Sequence, residues 1–355
     1  MNEKRAWFYD LLFILVLLLA GYLRLAGSGW GEGYHQHPDE LFLSGVLGSL
    51  RAQSCENPLL PVDSCPEDQR HWLSIGEYFD TATSPLNPYN RGYSFFVYGT
   101  FPMAIIRFTA EAIGSDGLGD LKFLARQMSA LADLLTIFVL YLIVSGLYGR
   151  KVALFASAFS ALTVMQIQQS HFFTTDLFTN LFMFLAIFFA VEIVNRGNRN
   201  QGAGNSEHPN RLISNYLITN YLTNPLLWLS IGFGVALGMA MASKINAAAL
   251  ALMLPAAFVI RYFIHDRKPN VQNTKDESLL TSHFSLSSDY WSLIAIFLIA
   301  GGLATIVSFR IFQPYAFDGL WFNLQWLSNI SEQRAQAAGS DLPWNLQWAR
   351  RSHLY

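Results

Sequence analysis

Apolar residues along this chain are gathered into long runs separated by polar connectors. A hydrocarbon core of about 30 Å needs a helix of roughly 20 apolar residues. Seven runs meet this demand, at about 8–26, 127–147, 151–169, 175–194, 226–243, 246–264 and 291–311. An eighth, about 94–112, is interrupted by Pro102 and carries Arg107, Thr109 and Glu111. The connectors 197–225 and 265–290 are rich in Asn, Ser and charge and read as flexible links. The pattern predicts an all-α fold: a polytopic membrane helix bundle of about seven spans, with interfacial helices in the first outer loop.

Charge decides what the eighth run does. If it does not cross, every inner segment is basic: Lys4 and Arg5 at the N-terminus, Arg150 and Lys151 in the turn 149–151, Arg196, Arg199 and Arg211 next, then Arg261, Arg267, Lys268 and Lys275. The turn 168–176 then lies outside and has no Lys or Arg. If the run does cross, the basic segments after it move outside, against the positive-inside rule. The run 94–112 is therefore read as an interfacial or re-entrant helix. Three stretches share the outer side: 27–126, 169–175 and 312–355. The first run is long for a signal peptide and shows no small-residue cleavage site, so it reads as an uncleaved helix starting inside. This predicts a multi-pass membrane protein with a cytoplasmic N-terminus and those three stretches on the extracytoplasmic side.

Composition agrees and excludes other classes. Hydrophobic residues make up 52% and charged residues 14%, against about 25% charged in soluble domains. The net charge of −2 gives no electrostatic footprint for nucleic acid. Two cysteines, Cys55 and Cys65, exclude a zinc ribbon or a cysteine-rich scaffold. They are either a disulfide closing a short loop or two unpaired thiols. The chain has no P-loop, G-x-S-x-G, H-E-x-x-H or dinucleotide fingerprint, and no internal repeat. Asn329-Ile330-Ser331 fits a glycosylation sequon.

The sharpest chemical cluster, His35-Gln36-His37-Pro38-Asp39-Glu40, begins a few residues after the first run. One acid could take a proton from an acceptor hydroxyl. His37, Asp39 and Glu40 could instead hold a divalent metal. A plain structural reading stands beside both: Pro38 starts a helix, and acids in its first turn complement the dipole. A second cluster, Ser170 to Asp176, contains His171 and Asp176; Thr174, Thr175 or Asp176 there is also suited to capping the next helix. Basic candidates for a phosphate are Arg91, Arg126 and Lys244. Lys244 would be costly inside an apolar run, and reads equally as a snorkelling residue at a turn. Arg24 reads as an interfacial anchor. Trp321, Trp326, Trp344 and Trp348 read as an interfacial belt.

The order of these features resembles the GT-C glycosyltransferases of the protein O-mannosyltransferase and aminoarabinose-transferase type. The residues that carry it are His37-Pro38-Asp39-Glu40, Arg91-Gly92-Tyr93-Ser94-Phe95-Phe96, Ala125-Arg126-Gln127-Met128-Ser129 and Ser170 to Asp176. The likeness extends over about 1–320, the transmembrane catalytic core, with 27–126 as first extracytoplasmic loop. It implies a sugar donor on a polyprenyl phosphate, an acceptor hydroxyl on a protein or glycolipid, and transfer with inversion. Asp39 would be the general base, with Glu40 and His37 orienting the acceptor or supporting a metal. His171 and Asp176 would line the pocket. Arg91, Arg126 or Lys244 would offset charge on the departing phosphate, and a lipid-facing groove would hold the polyprenyl tail. Relatives of this type usually have eleven or more spans, so 321–355 reads as the start of a further outer loop that is cut short. The competing readings are a secondary transporter and a metal-dependent membrane hydrolase using His35, His37 and Asp39. Acids grouped outside the apolar runs and the lack of a repeat speak against the transporter.

Overall fold

A computed structural model describes residues 3–31, 37–57, 62–115, 117–196, 223–266 and 280–337. His35, Trp344, Trp348 and most of the two basic connectors lie outside the described residues. The architecture is an all-α polytopic helix bundle. Among the described residues six helices are long and apolar enough to cross a membrane, and a seventh crossing is counted if one bent pair is a single span. The chain is therefore a multi-pass membrane protein. The chain divides into two compact units, one of Met1–Ser28, Gln127–Phe172 and Asp176–Phe309, the other of Gly29–Arg126, Phe173–Thr175 and Arg310–Tyr355.

The first unit holds the crossing helices. In chain order they are α1 (Glu3–Leu25), α5 (Leu118–Tyr148, from Gln127 onward), α6 (Arg150–Leu162) with α7 (Val164–Ser170), α8 (Thr175–Asn195), α9 (Pro225–Ser243), the pair formed by a 3-10 stretch Ile245–Leu252 and α10 (Met253–Arg261), and α11 (Leu280–Phe312). Without a hydrophobic force between helices in lipid, close backbone approach must bind them. Gly234 and Gly238 on α9 supply it: a Cβ on Gly234 would lie 2.1 Å from the Gly301 carbonyl oxygen of α11, and one on Gly238 2.5 Å from Cβ of Ser308. Ser308 also donates to the Val235 carbonyl. Phe13 of α1 stacks on Tyr141 of α5 with ring centres 3.8 Å apart.

The run 151–169 is one apolar stretch in sequence but two helices in space, bent by 59° at Thr163. The break frees carbonyl groups that need donors. Arg24 provides them, and here the expectation of an interfacial anchor is corrected. Its side chain is wholly buried. It pairs with Asp133 of α5 at 2.6 Å and donates to the carbonyls of Ala161 and Ser160 at 3.0 and 3.2 Å.

The second unit gathers most of the first loop and the stretch from Arg310, with Phe173–Thr175 from the turn 169–175. It begins with α2 (Pro38–Ser49), whose Leu43, Val46, Leu47 and Leu50 form one buried face at helical spacing. A two-stranded antiparallel ribbon follows, β1 (Gln53–Cys55) on β2 (Arg70–Trp72), closed by a Cys55–Cys65 disulfide. Of the two readings for the cysteines, the structure therefore shows the disulfide. The short α3 (Ile75–Phe79) is fixed by a capping box between Ser74 and Glu77. The doubtful eighth run yields α4 (Phe101–Ala112), whose 12 residues rise only about 18 Å, too little to cross. The chain returns after α11 through a 3-10 turn Pro314–Ala316, a hairpin β3 (Phe317–Asp318) and β4 (Trp321–Phe322), and α12 (Leu324–Ala337). Buried hydrogen bonds bind this return to the first loop: Thr100 N–H to Gln313 Oε1, Ser84 with Tyr315, and Asn329 Nδ2 to Ser94 and Phe96 carbonyls. The Asn329 amide of the sequon is thus buried and committed to structure.

Candidate active site

The local sequence explains why α2 starts where it does. His37 is extended at the N-cap, Pro38 takes the first helical position, and Asp39 and Glu40 lie in the first turn. Pro needs no hydrogen-bond partner there, and acids favour that end of the dipole. Consecutive helical residues point about 100° apart. Adjacent acids therefore meet different surroundings.

Glu40 points inward and is fully buried. Arg126 Nε donates to its Oε1 at 2.6 Å and Nη2 to Oε2 at 2.7 Å. The backbone N–H of Phe173 reaches Oε1 at 3.0 Å. Burial alone would push the Glu40 carboxyl up; hydrogen bonds from Arg126 and Phe173 and the guanidinium charge outweigh it and hold the group below the usual carboxylate range. Arg126 is itself buried, donates Nη1 to the Trp30 carbonyl at 3.0 Å and lies over the Trp30 ring. Asp39 is half-buried and makes no hydrogen bond or ion pair with the described residues. His37 is half-buried beside it.

Arg91 closes the 3-10 turn Pro88–Arg91 and donates to the Ser49 carbonyl at the end of α2 and to Asp63, both at 2.6 Å. Asp63 also pairs with Arg51 at 2.7 Å. Arg91 thus holds the far end of the helix that carries Asp39. The resemblance offered Arg91 and Arg126 as phosphate contacts; the structure engages both with protein acceptors.

An apolar groove of about 510 Å³ lies in this unit between α3, α4 and the end of α11, lined by Ile75, Tyr78, Phe79, Phe101, Phe108 and Phe312 among others. The Tyr78 hydroxyl donates to the Ile311 carbonyl, and burial pushes its pKa up to about 12. Its polar end is spent, which leaves the lining apolar.

In the helix unit, α9 ends at Ser243, and Lys244 stands at the break before the 3-10 stretch with extended backbone. Its ammonium pairs with Asp176, in the first turn of α8, at 2.6 Å. Both side chains are about one third exposed. The turn placement relieves the cost of a Lys in this run, as read from the sequence. His171 has Nδ1 2.7 Å from the Ile167 carbonyl and Nε2 2.8 Å from the Ala26 carbonyl. Carbonyls only accept, so a doubly protonated ring donates to both and a neutral one to a single partner.

Of the possible metal ligands His37, Asp39 and Glu40, Glu40 accepts from Arg126 through both carboxylate oxygens. Among the described residues no three His, Cys, Asp or Glu groups gather as ligands. Four residues that matter escaped the sequence: Trp30, Asp63, Asp133 and Phe173. Asp133 carried a signal, an acid inside an apolar run, which demands a partner. Phe173 acts through its backbone, which no side-chain pattern reveals.

The chain is a polytopic helical bundle whose first loop opens with two adjacent acids, one of them clamped. Residues 105–203 match the model of the dolichyl-phosphate-mannose-protein mannosyltransferase family, consistent with a GT-C superfamily glycosyltransferase. The match supports a polyprenyl-phosphate-sugar mannosyltransferase-type function at family level. The matched segment includes Arg126, His171 and Asp176 and lies between Asp39 and Lys244. No curated protein and no solved structure matches the chain significantly.

Proposed function

We propose that this chain moves a sugar from a polyprenyl-phosphate carrier to an acceptor hydroxyl on the extracytoplasmic side of the plasma membrane, with residues 1–320 as catalytic core. One observation carries the reading: of two adjacent acids at a helix start, Glu40 is locked by Arg126 and Phe173 while Asp39 makes no hydrogen bond or ion pair among the described residues. Asp39 is the general base. It takes the proton of the acceptor hydroxyl as that oxygen bonds to the anomeric carbon and the bond to the phosphate oxygen breaks, with inversion. Glu40 positions Asp39 by fixing the first turn of α2. The family description favours a protein acceptor over a glycolipid.

The departing phosphate needs a cation where charge develops. Lys244 is the most exposed of the three candidates, with 31% of its side chain accessible against 18% for Arg91 and 3% for Arg126, and is assigned that role. Asp176 orients its ammonium, and His171 braces the turn before α8. The apolar groove suits the polyprenyl chain. Gathering of the first loop, Phe173–Thr175 and the stretch from Arg310 into one unit fits their sharing one side, as the charge pattern requires.

The test is transfer from polyprenyl-phosphate mannose to a Ser/Thr peptide in proteoliposomes, comparing the parent with Asp39→Asn. Loss of a general base should cut turnover by about 10²–10⁴-fold. Equal turnover by the two proteins ends the proposal. Solute flux without donor consumption would instead identify a transporter.

A further inference from the structure

The last crossing helix, Trp291–Phe312, does not release the chain into a free loop. Five residues on, the chain folds into the hairpin of β3 and β4, whose base is packed and whose tip is bare. At the base Phe317 stacks on Phe322 with ring centres 4.9 Å apart, and Phe322 stacks on Trp326. At the tip Leu320 is 95% exposed, Trp321 82% and the following Leu324 81%. Such a cluster of large apolar side chains calls for a partner.

Arg310 fixes where this tip stands. It lies in the last turn of α11, and its Nη2 donates to the Gly319 carbonyl at the tip, at 2.9 Å. Nη1 donates to the Pro314 carbonyl at 3.1 Å, and the guanidinium covers the Phe317 ring at 4.7 Å. Gly319 has φ 57°, which lets the turn close tightly enough for its carbonyl to face the arginine. The tip is therefore held level with the last turn of a membrane-crossing helix. The end of a crossing helix falls in the headgroup layer, where Trp and Tyr side chains concentrate. Ile311, in the same last turn of the helix, is also exposed. The exposed acid Asp318 limits how deep the tip can sink.

We propose that the hairpin 317–322 is an interfacial membrane anchor: Leu320, Trp321 and Leu324 lie among the headgroups and upper acyl chains of the bilayer that α11 crosses. The partner is bilayer lipid, since Arg310 pins the tip to the last turn of a helix long and apolar enough to cross a bilayer. The anchor would fix the depth of the second unit at the membrane surface. It depends neither on the transferase reading nor on which side the unit faces.

The test uses full-length protein in phosphatidylcholine vesicles. The native cysteines are joined in a disulfide, so Leu320→Cys and, as reference, Asp68→Cys each carry a unique thiol for an environment-sensitive fluorophore. Asp68 is exposed on the first loop. The anchor predicts a blue-shifted Leu320 label, quenched several-fold more by phospholipid with a nitroxide near the top of its acyl chain than the Asp68 label is. A Leu320 label as insensitive to nitroxide lipid as the Asp68 label overturns it. So does a label shielded from both nitroxide lipid and aqueous iodide, which would mean a protein covers the tip. Trp321→Phe needs no label: it should remove part of the tryptophan emission that brominated lipid quenches, and an unchanged quenched fraction also overturns the proposal.

Discussion

Arg126 closes on Glu40 through both carboxylate oxygens, in a pocket from which water is excluded. Breaking a buried pair by removing one partner strands the other charge and costs about 3–5 kcal/mol. Arg126→Ala should therefore destabilise strongly in denaturant unfolding in micelles. Adding Glu40→Leu should restore much of the loss, because the stranded carboxylate is gone. A double variant no more stable than the single one would mean that the pair is not what Arg126 contributes.

The same pair sets a pH dependence. A carboxyl held below its ordinary pKa when folded binds more protons when unfolded, so its stabilisation is whole above about pH 4.3 and is lost as pH falls through the folded value. Glu40 has this sign. So does Glu77, where burial raises the pKa but bonds to Ser74, Ser54 and His71 win and bring it to about 2. The parent should lose unfolding temperature steadily from about pH 5 downward, and Glu40→Gln should flatten that slope while starting less stable. A Glu40→Gln slope as steep as the parent's would contradict the assigned sign.

The spans were readable because length and apolarity alone decide whether a helix can cross. Position 163 is not readable as a break: the run around it contains no Pro or Gly, and the donor that stabilises the bend is Arg24, 137 residues from the Ala161 carbonyl. Asp39 and Glu40 were found as a pair, but their different roles depend on which of two directions is the interior. That direction is set by Arg126, 86 residues away, and by a backbone N–H at Phe173. Sequence patterns report periodicity within an element; they do not report which distant donor an acid will meet.

Arg24 itself can be tested. It serves Asp133 and two carbonyls at the break, whereas Asp133 serves only Arg24 among the hydrogen bonds described. Arg24→Ala should therefore cost more stability than Asp133→Asn, with about 3–5 kcal/mol for the stranded carboxylate as the scale. Differential unfolding of the two variants in micelles decides it. Equal losses would show that the carbonyls at the bend are satisfied without Arg24.

The disulfide closes a loop with sequence separation 10, and loop-closure entropy puts its contribution near 3 kcal/mol. The loop also carries Asp63, which holds Arg51 and Arg91, and through Arg91 the end of α2. Reduction, or Cys55→Ser with Cys65→Ser, should lower the unfolding temperature and raise amide exchange in α2 toward Ser49. Unaltered exchange there would sever the proposed link from the loop to the helix that carries Asp39.

Lys244 and Asp176 separate a structural role from a chemical one. Their pair is about one third exposed, and such pairs contribute only about 0–1 kcal/mol. Lys244→Met should therefore leave the unfolding midpoint nearly unchanged. If the ammonium meets the donor phosphate, the same change removes charge that is needed most as the phosphate departs, and turnover should fall by roughly 10²-fold or more. Lys244→Arg keeps the charge at a shifted position and should recover part of the rate. Asp176→Asn frees the ammonium without removing it, so its effect should appear mainly in KM for the donor. A Lys244→Met protein that is as stable and as active as the parent would leave the residue as a snorkelling lysine and nothing more.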